Sequence, residues 1–231
     1  QTIKFINKEF KNKQNLYGSA YDADSEGVEG KYYIWTYDEL KNLLKEKLTL
    51  LEKKYIISKE GNFEGSNILI ENKDYKPDDN EKEKIKIIES VLIKERSKRE
   101  KPFFDDKCQT DLNSFWLYSS LQASIILEDN DLKSITLKKV ETLKSKLTKK
   151  IYHCYENDEV DVFLEDYVYY CLLLVSLYEI EGNKENLLLT NSLMNEIWEF
   201  FFNKKTELLQ KNKINNNDLF ANPIDINDNN I

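Results

Sequence analysis

The sequence predicts a mainly α-helical protein with a small β-hairpin in its first third. Apolar residues recur at helical spacing over most of the chain after residue 36. Five of the six glycines fall between residues 18 and 65, which places the irregular backbone there. Half-polar helices alternate with mostly apolar ones after residue 111, an order typical of stacked helical hairpins. Together these observations predict packed helices with a short β insertion near the start.

The first third is predicted to hold one helix, the hairpin and a capped second helix. Residues 2–13 carry an amphipathic pattern, and residues 17–35 contain two strand-like aromatic runs, YGSAY and KYYIWT, around an acidic connection. Thr36 is followed three residues later by Glu39, the spacing of a capping box. We therefore expect a helix to begin directly after Thr36.

The acidic connection YDADSEGVEGKYY resembles the first half of a calcium loop. Asp22, Asp24 and Glu26 alternate and are followed by Gly27, as such a loop requires. The twelfth position, which should be a bidentate Glu, is Tyr33. The segment is therefore predicted to be the turn of the hairpin, and no metal site is predicted.

The remaining helices follow from apolar periodicity. They are expected at residues 47–56, 81–98, 111–128, 131–152, 161–181 and 184–203. The segment 161–181 is apolar nearly all round, which indicates an inner helix covered on every side. The tail 211–231 is rich in Asn and Asp and is predicted to be a loop.

Bulk composition excludes several classes of partner. The 231-residue chain has a net charge of −8, which speaks against nucleic-acid binding. No stretch of eighteen apolar residues occurs, so no membrane partner is expected. The three cysteines form no CxxC pair, which favours a reducing, cytoplasmic compartment. The sequence leaves open whether a targeting segment lies upstream of residue 1. No cofactor is predicted.

Four segments, in this order and at this spacing, resemble one protein family. They read GSAYDADSEGVEGKYYIWTYDEL, GNFEGSNIL, KREKPFFDDK and FLEDYVYYCLLLVSLYE. The chain is similar to the YyaL-type family, which includes the spermatogenesis-associated thioredoxin-domain protein. The resemblance implies a thioredoxin-like domain followed by an (α/α)6 toroid similar to six-hairpin glycosidases.

The resemblance covers only part of that toroid. It implies a partial toroid domain at residues 1–210, with the hairpin and helices inserted at about 17–100, and a tail at 211–231. The thioredoxin-like domain would precede residue 1, so the rest of a longer chain is an expected partner. Where the family has Trp and Gly beside an Asn, this chain has Leu112 and Ser114 beside Asn113, which implies a diverged or fragmentary member.

The resemblance to sugar-processing toroids directs attention to carboxylates and amides near helix ends and loops. The catalytic candidates are Asp106, Glu64, Glu165 and Asp166. The substrate-binding candidates are Asp22, Asp24, Glu26, Asn67 and Asn113. Each acid also has a structural explanation, because Asp106 can cap the next helix, and the helix dipole favours acids at residues 165 and 166. His153, the only histidine, is expected to end a lysine-rich surface helix.

Three functions stay open on the sequence alone. The first is binding or processing of a sugar-like small molecule, which predicts that Asp106, Glu64 and Glu165 converge. The second is a non-catalytic protein-interaction module formed by loops 18–35 and 61–70, which predicts dispersed or amide-saturated acids. The third is a redox role through the absent thioredoxin-like domain.

Overall fold

The computed structural model describes residues 1–155 and 160–214, and it is mainly α-helical, as predicted. The helices of the described residues are α1 Thr2–Glu9, α2 Tyr37–Leu44, α3 Leu48–Lys54, α4 Asp79–Arg96, α5 Thr110–Ile126, α6 Asn130–Lys146, α7 Leu164–Glu181 and α8 Lys184–Phe200. The strands are two residues each: β1 Ala20–Tyr21, β2 Asp24–Ser25, β3 Val28–Glu29, β4 Tyr55–Ile56, β5 Ile70–Glu71, β6 Phe104–Asp105, β7 Phe202–Asn203 and β8 Leu208–Leu209. No helix among these residues is both long and apolar enough to cross a bilayer. Most of the tail predicted at 211–231 lies outside the described residues.

The chain divides into two compact units. Unit 1 comprises residues 1–20 and the chain from Asp105 onward, whereas unit 2 comprises Tyr21–Phe104. Unit 2 is therefore continuous in sequence, and unit 1 is assembled from two segments.

Unit 1 is built from two helical hairpins, α5–α6 and α7–α8, whose first helices pack side by side. Helices α5 and α7 run parallel. The rings of Phe115 and Tyr169, near their starts, lie 4.9 Å apart. Gln122 donates to the Ser176 hydroxyl at 2.9 Å, near their ends. The N-terminal ends of both helices therefore lie at the same end of unit 1.

The core of unit 1 is contributed mainly by α5 and α7, with support from the outer helices. Its fully buried members include Leu117, Leu121, Leu173, Leu174 and Phe201. Helix α7 buries residues on most of its circumference. It leaves Val168 and Leu172 exposed on one side, so the prediction of a helix covered on every side is wrong in that respect.

Unit 2 packs α2, α3 and α4 around a smaller core. The Thr36 hydroxyl accepts the Glu39 N–H at 3.1 Å, and the Glu39 carboxylate accepts the Thr36 N–H at 2.8 Å, so the predicted capping box is confirmed. Helix α4 begins with a second capping box, formed by Asp78 and Glu81. Each box satisfies N–H groups that a helix start leaves without partners.

The predicted hairpin at 17–35 is wrong in its pairing. The acidic connection forms the hairpin, with β2 and β3 pairing Asp24 with Glu29 and Ser25 with Val28. The flanking aromatic runs pair elsewhere: Tyr17 bridges to Lys11, and Trp35 bridges to Asn67.

Two Glu-Gly dipeptides make matching two-residue turns in unit 2. Glu26 and Gly27, between β2 and β3, have φ values of 52° and 74°. Glu64 and Gly65 have φ values of 45° and 77°, and the residues that flank them exchange backbone hydrogen bonds of 2.8 and 2.9 Å. Positive φ at both central positions is the pattern of a type I′ hairpin turn. Both glutamates therefore occupy a backbone region that disfavours their side chains.

Two helix ends differ from prediction near the shared N-terminal end of α5 and α7. Helix α6 ends at Lys146, so His153 lies in the connector to α7 and does not end a helix, contrary to prediction. The helix predicted at 111–128 spans Thr110–Ile126 with Gln109 as its N-cap, so Asp106 does not cap it, and Asp111 lies in its first turn. Both changes bring polar side chains to the same place.

Candidate functional site

A polar cluster occupies the N-terminal ends of α5 and α7, and the Asp166 carboxylate is its centre. Asp166 is fully buried, with 0% of its surface exposed. Its Oδ1 accepts the backbone N–H of Asp111 at 3.1 Å, and its Oδ2 accepts that of Phe163 at 2.8 Å. The carboxylate thus satisfies N–H groups at the starts of two helices, where the helix dipoles also favour a negative charge.

His153 completes the bonding of Asp166. Its Nδ1 lies 3.1 and 3.2 Å from the two Asp166 oxygens, and its Nε2 lies 3.0 Å from the Gln109 amide nitrogen. The hydrogen bond to Asp166 raises the pKa of His153, and burial opposes that rise. The His153 carbonyl also accepts the Thr110 N–H at 2.9 Å, which ties the connector to the start of α5.

Asp111 is the more accessible carboxyl of the cluster. Its Oδ1 accepts the N–H of Leu112 at 2.7 Å. Burial, and the negative charge of Asp166 next to it, raise the pKa of Asp111. A carboxyl that holds its proton more tightly than usual is suited to act as a general acid.

Glu165 lies beside this cluster and has spare hydrogen-bonding capacity. Its Oε1 is 3.9 Å from the Lys211 ammonium. Its Oε2 is buried and has no hydrogen-bond partner among the described residues. A buried carboxylate oxygen without a hydrogen-bond donor is costly in free energy.

Asp111, His153 and Asp166 could also hold a metal ion, because one donor atom from each lies within 4.8 Å of the others. Both oxygens of Asp166 and both ring nitrogens of His153 already have partners, however. The bonding among the described residues therefore favours a hydrogen-bonded cluster.

The structure brings two of the four catalytic candidates from the sequence to this cluster. Asp166 and Glu165 lie at the cluster. Asp106 also belongs to unit 1, but its carboxylate is about half exposed and lies 3.8 Å from the Lys13 ammonium. Glu64 occupies a turn of unit 2. Asp166 and Glu165 are thus the catalytic candidates that the described cluster includes.

The acidic candidates of the β2–β3 hairpin have local structural partners. Asp22 accepts the backbone N–H of Asp24 at 3.2 Å, and Glu26 pairs with Lys31 at 2.8 Å. These contacts stabilise the turn within unit 2.

The side-chain amides of the two asparagine candidates form hydrogen bonds with backbone N–H and carbonyl groups. The Asn67 side chain is fully buried, and its amide exchanges two hydrogen bonds, of 2.8 and 2.9 Å, with the backbone of Ser58. Asn113 does the same with Tyr17: its Oδ1 accepts the Tyr17 N–H at 3.0 Å, and its Nδ2 donates to the Tyr17 carbonyl at 2.9 Å. Both side chains are already saturated by the protein.

Sequence reasoning missed His153, Asp111 and Gln109 as members of the site. His153 precedes Asp166 by 13 positions and lies in the connector before α7, so no periodic pattern links them. The available signals were that His153 is the only histidine and that the first turns of two neighbouring helices both carry acids.

Comparison with models of protein families and with curated proteins gives no match for this chain.

Proposed function

We propose that unit 1 is part of an (α/α)6 toroid and that the N-terminal ends of α5 and α7 bind and process a hydroxyl-rich, sugar-like molecule by proton transfer. The observation that carries this proposal is the Asp111 carboxyl, which is partly exposed, has a raised pKa and lies beside the buried Asp166 and its partner His153. Two hairpins with parallel first helices are the arrangement that such a toroid repeats. The resemblance to the YyaL-type family that we propose from the sequence implies the same architecture.

Asp111 is the proton donor in this proposal. Its neighbour Asp166 is held in place by two backbone N–H groups and by His153, so Asp166 positions the site and does not react. A sugar oxygen that gains negative charge as a bond breaks would take the proton from Asp111. Glycoside hydrolysis needs a second carboxylate, and Glu165, with its unpartnered Oε2, is the one we assign to that role.

The test uses the single histidine as a probe. In an NMR titration the imidazole signals can be assigned directly to His153, because the chain has one histidine. Monosaccharides and aryl glycosides are added to the wild type, Asp111→Asn and Glu165→Gln. Asp106→Asn is the matched control, because Asp106 pairs with Lys13 outside the cluster.

We expect a saccharide to shift the His153 signals of the wild type and of Asp106→Asn. Turnover of aryl glycosides should fall at least 100-fold in Asp111→Asn, the scale of one general acid. A saccharide panel that leaves the His153 signals unmoved at tens of millimolar would refute the proposal.

A protein-interaction role for unit 2 is a second candidate, favoured by an open groove of about 840 Å³. The groove is lined by both loops named above, including Glu26, Lys31 and Ser66. Reversing the exposed lining charge Lys98 should abolish capture of a protein partner, and unchanged capture would refute this role.

A further inference from the structure

A buried amine lies beneath a turn of the first segment of unit 1. Lys139 on α6 is only 4% exposed. Its Nζ donates to the Asn15 carbonyl at 2.6 Å and lies 4.3 Å from the centre of the Tyr17 ring. Among residues 1–155 and 160–214, no carboxylate forms an ion pair with it. A buried positive charge without an opposite charge beside it is costly in free energy.

The turn that covers Lys139 belongs to the surface. It comprises residues 11–17, which we call the strap, and a backbone bridge between Lys11 and Tyr17 closes it. Asn15 in this turn is exposed and has a φ of 65°, a region that Asn tolerates better than most residues. The amine is therefore covered by a surface turn and not by a layer of helices.

Opposing effects act on the charge of Lys139. The Asn15 carbonyl and the face of the Tyr17 ring both favour an ammonium. Burial, and then the positive charge of Lys11, lower the pKa of Lys139 from 10.5 to about 8, and Cys108, which precedes α5, opposes that shift. The cost of burying the charge is thus larger than the gain from the two contacts. Closure of the strap favours the neutral amine, whereas an open strap would restore water to the ammonium.

We propose that the strap is a proton-sensitive closure, which closes over the neutral amine of Lys139 and opens when this amine takes up a proton from solvent. In the closed state the amine still donates one hydrogen bond to the Asn15 carbonyl. The open state binds a proton that the closed state releases between pH 8 and 10.5, so closure becomes more favourable as pH rises through this range.

The strap is connected to the candidate site through Asn113. The Asn113 side chain bonds both the N–H and the carbonyl of Tyr17, at the end of the strap. Its Nδ2 also donates to the Gln109 carbonyl at 2.9 Å, and the Gln109 amide lies 3.0 Å from His153 Nε2. Opening of the strap would therefore free a side chain that holds the neighbour of His153. Its effect on catalysis rests on the proposed function, whereas the closure itself does not.

The test is amide hydrogen exchange of the full chain, followed by NMR between pH 6 and 9 and corrected for the intrinsic pH dependence of exchange. The reporter is the Tyr17 N–H, because its hydrogen bond joins the strap to α5. Lys139→Met keeps an unbranched side chain and removes the charge. Lys138→Met is the matched control, because Lys138 precedes Lys139 on α6 but is exposed.

In the wild type, protection of the Tyr17 N–H should rise about 10-fold between pH 7 and 9, as expected for pKa values of 10.5 in the open state and about 8 in the closed state. Lys139→Met should increase that protection at pH 7 by at least about 3-fold and remove its pH dependence. Lys138→Met should do neither. The N–H of Leu173, in the core of α7, should be more protected than that of Tyr17, because it exchanges only when the core opens.

Three results would overturn the proposal. Lower protection of Tyr17 in Lys139→Met than in the wild type would show that the ammonium holds the strap closed. Protection that does not change between pH 7 and 9 would show that closure is not coupled to a proton. Equal protection of Tyr17 and Leu173 would show that the strap does not open by itself. No saccharide is added, so each of these failures leaves the proposed function standing.

Discussion

Replacing Asp111 by Asn should stabilise the protein at neutral pH, although the residue belongs to the proposed site. Oxygen atoms of Asp111 and Asp166 lie within 4.8 Å of each other. Two unit charges at that separation repel by ~1 kcal/mol in water and by ~3 kcal/mol at an effective dielectric constant of 20. The attraction of Asp111 to His153 and to the N-terminal end of α5 offsets part of this repulsion. We therefore expect Asp111→Asn to raise the free energy of unfolding by about 1 kcal/mol. The neutral amide keeps an oxygen for the Leu112 N–H.

The effect should depend on pH in a defined direction. The folded state holds the Asp111 proton more tightly than the unfolded chain does, because its folded pKa lies above the usual 3.8. The wild type consequently loses stability as pH rises from 3.8 through the raised folded pKa, and the loss is complete above it. The variant lacks this loss, so the two proteins should differ at pH 7 and converge at low pH.

The assay is urea unfolding of the wild type, Asp111→Asn and Asp131→Asn between pH 3 and 7. Asp131 is also an acid in a first helical turn, but it is exposed. Its neutralisation should therefore lower the free energy of unfolding slightly, by about 0.3–1 kcal/mol, through loss of the helix-dipole interaction. If Asp111→Asn destabilises the protein as Asp131→Asn does, Asp111 is not under electrostatic strain and the argument for its role fails.

Four further outcomes follow from the structure. Asp166→Asn should lower the free energy of unfolding by about 3–5 kcal/mol, because it breaks a buried pair with His153; a loss below 1 kcal/mol in urea unfolding would contradict this. The hydrogen bond to Asp166 raises the folded pKa of His153 above 6.5. The stability that this pair contributes should therefore be complete below pH 6.5 and be lost as pH rises through the folded pKa. The NMR titration gives the folded pKa, and urea unfolding between pH 6 and 9 measures the loss of stability. Glu64→Asn should stabilise unit 2 by a few tenths of a kcal/mol in thermal unfolding, since Asn tolerates positive φ better than Glu, and a lower melting temperature would refute the turn assignment. Asn113→Ala should cost about 2–4 kcal/mol, because it leaves the buried N–H and carbonyl of Tyr17 without partners; unchanged stability would show that these bonds are replaced.

Structure that depends on neighbours in the chain could be predicted from the sequence. The capping box of Thr36 and Glu39 needs only its own four residues, and the start of α2 was correctly predicted. The apolar run of α7 likewise predicted a largely buried helix, because burial on most sides requires apolar residues at most positions. It did not predict that Val168 and Leu172 are exposed.

Structure that depends on distant partners could not be predicted. The aromatic runs around residues 17 and 35 have strand character, but sequence alternation does not specify the partner strand. Trp35 pairs with Asn67, which is far along the chain. The same limit applies to the candidate site. Asp166 and Glu165 were selected from the sequence, whereas His153 and Asp111 reach Asp166 through the packing of α5 against α7 and its connector.

The division of the chain into one continuous and one discontinuous unit has a consequence for synthesis. Synthesis of unit 2, residues 21–104, is complete before synthesis of the second segment of unit 1 begins. Domains generally fold as units during synthesis. Unit 2 can therefore fold first, whereas residues 1–20 can pack only after the second segment of unit 1 has been synthesised. Among those partners is Asn113, which binds the backbone of Tyr17 across 96 positions of sequence. The candidate site is thus assembled last, after α7 has been synthesised.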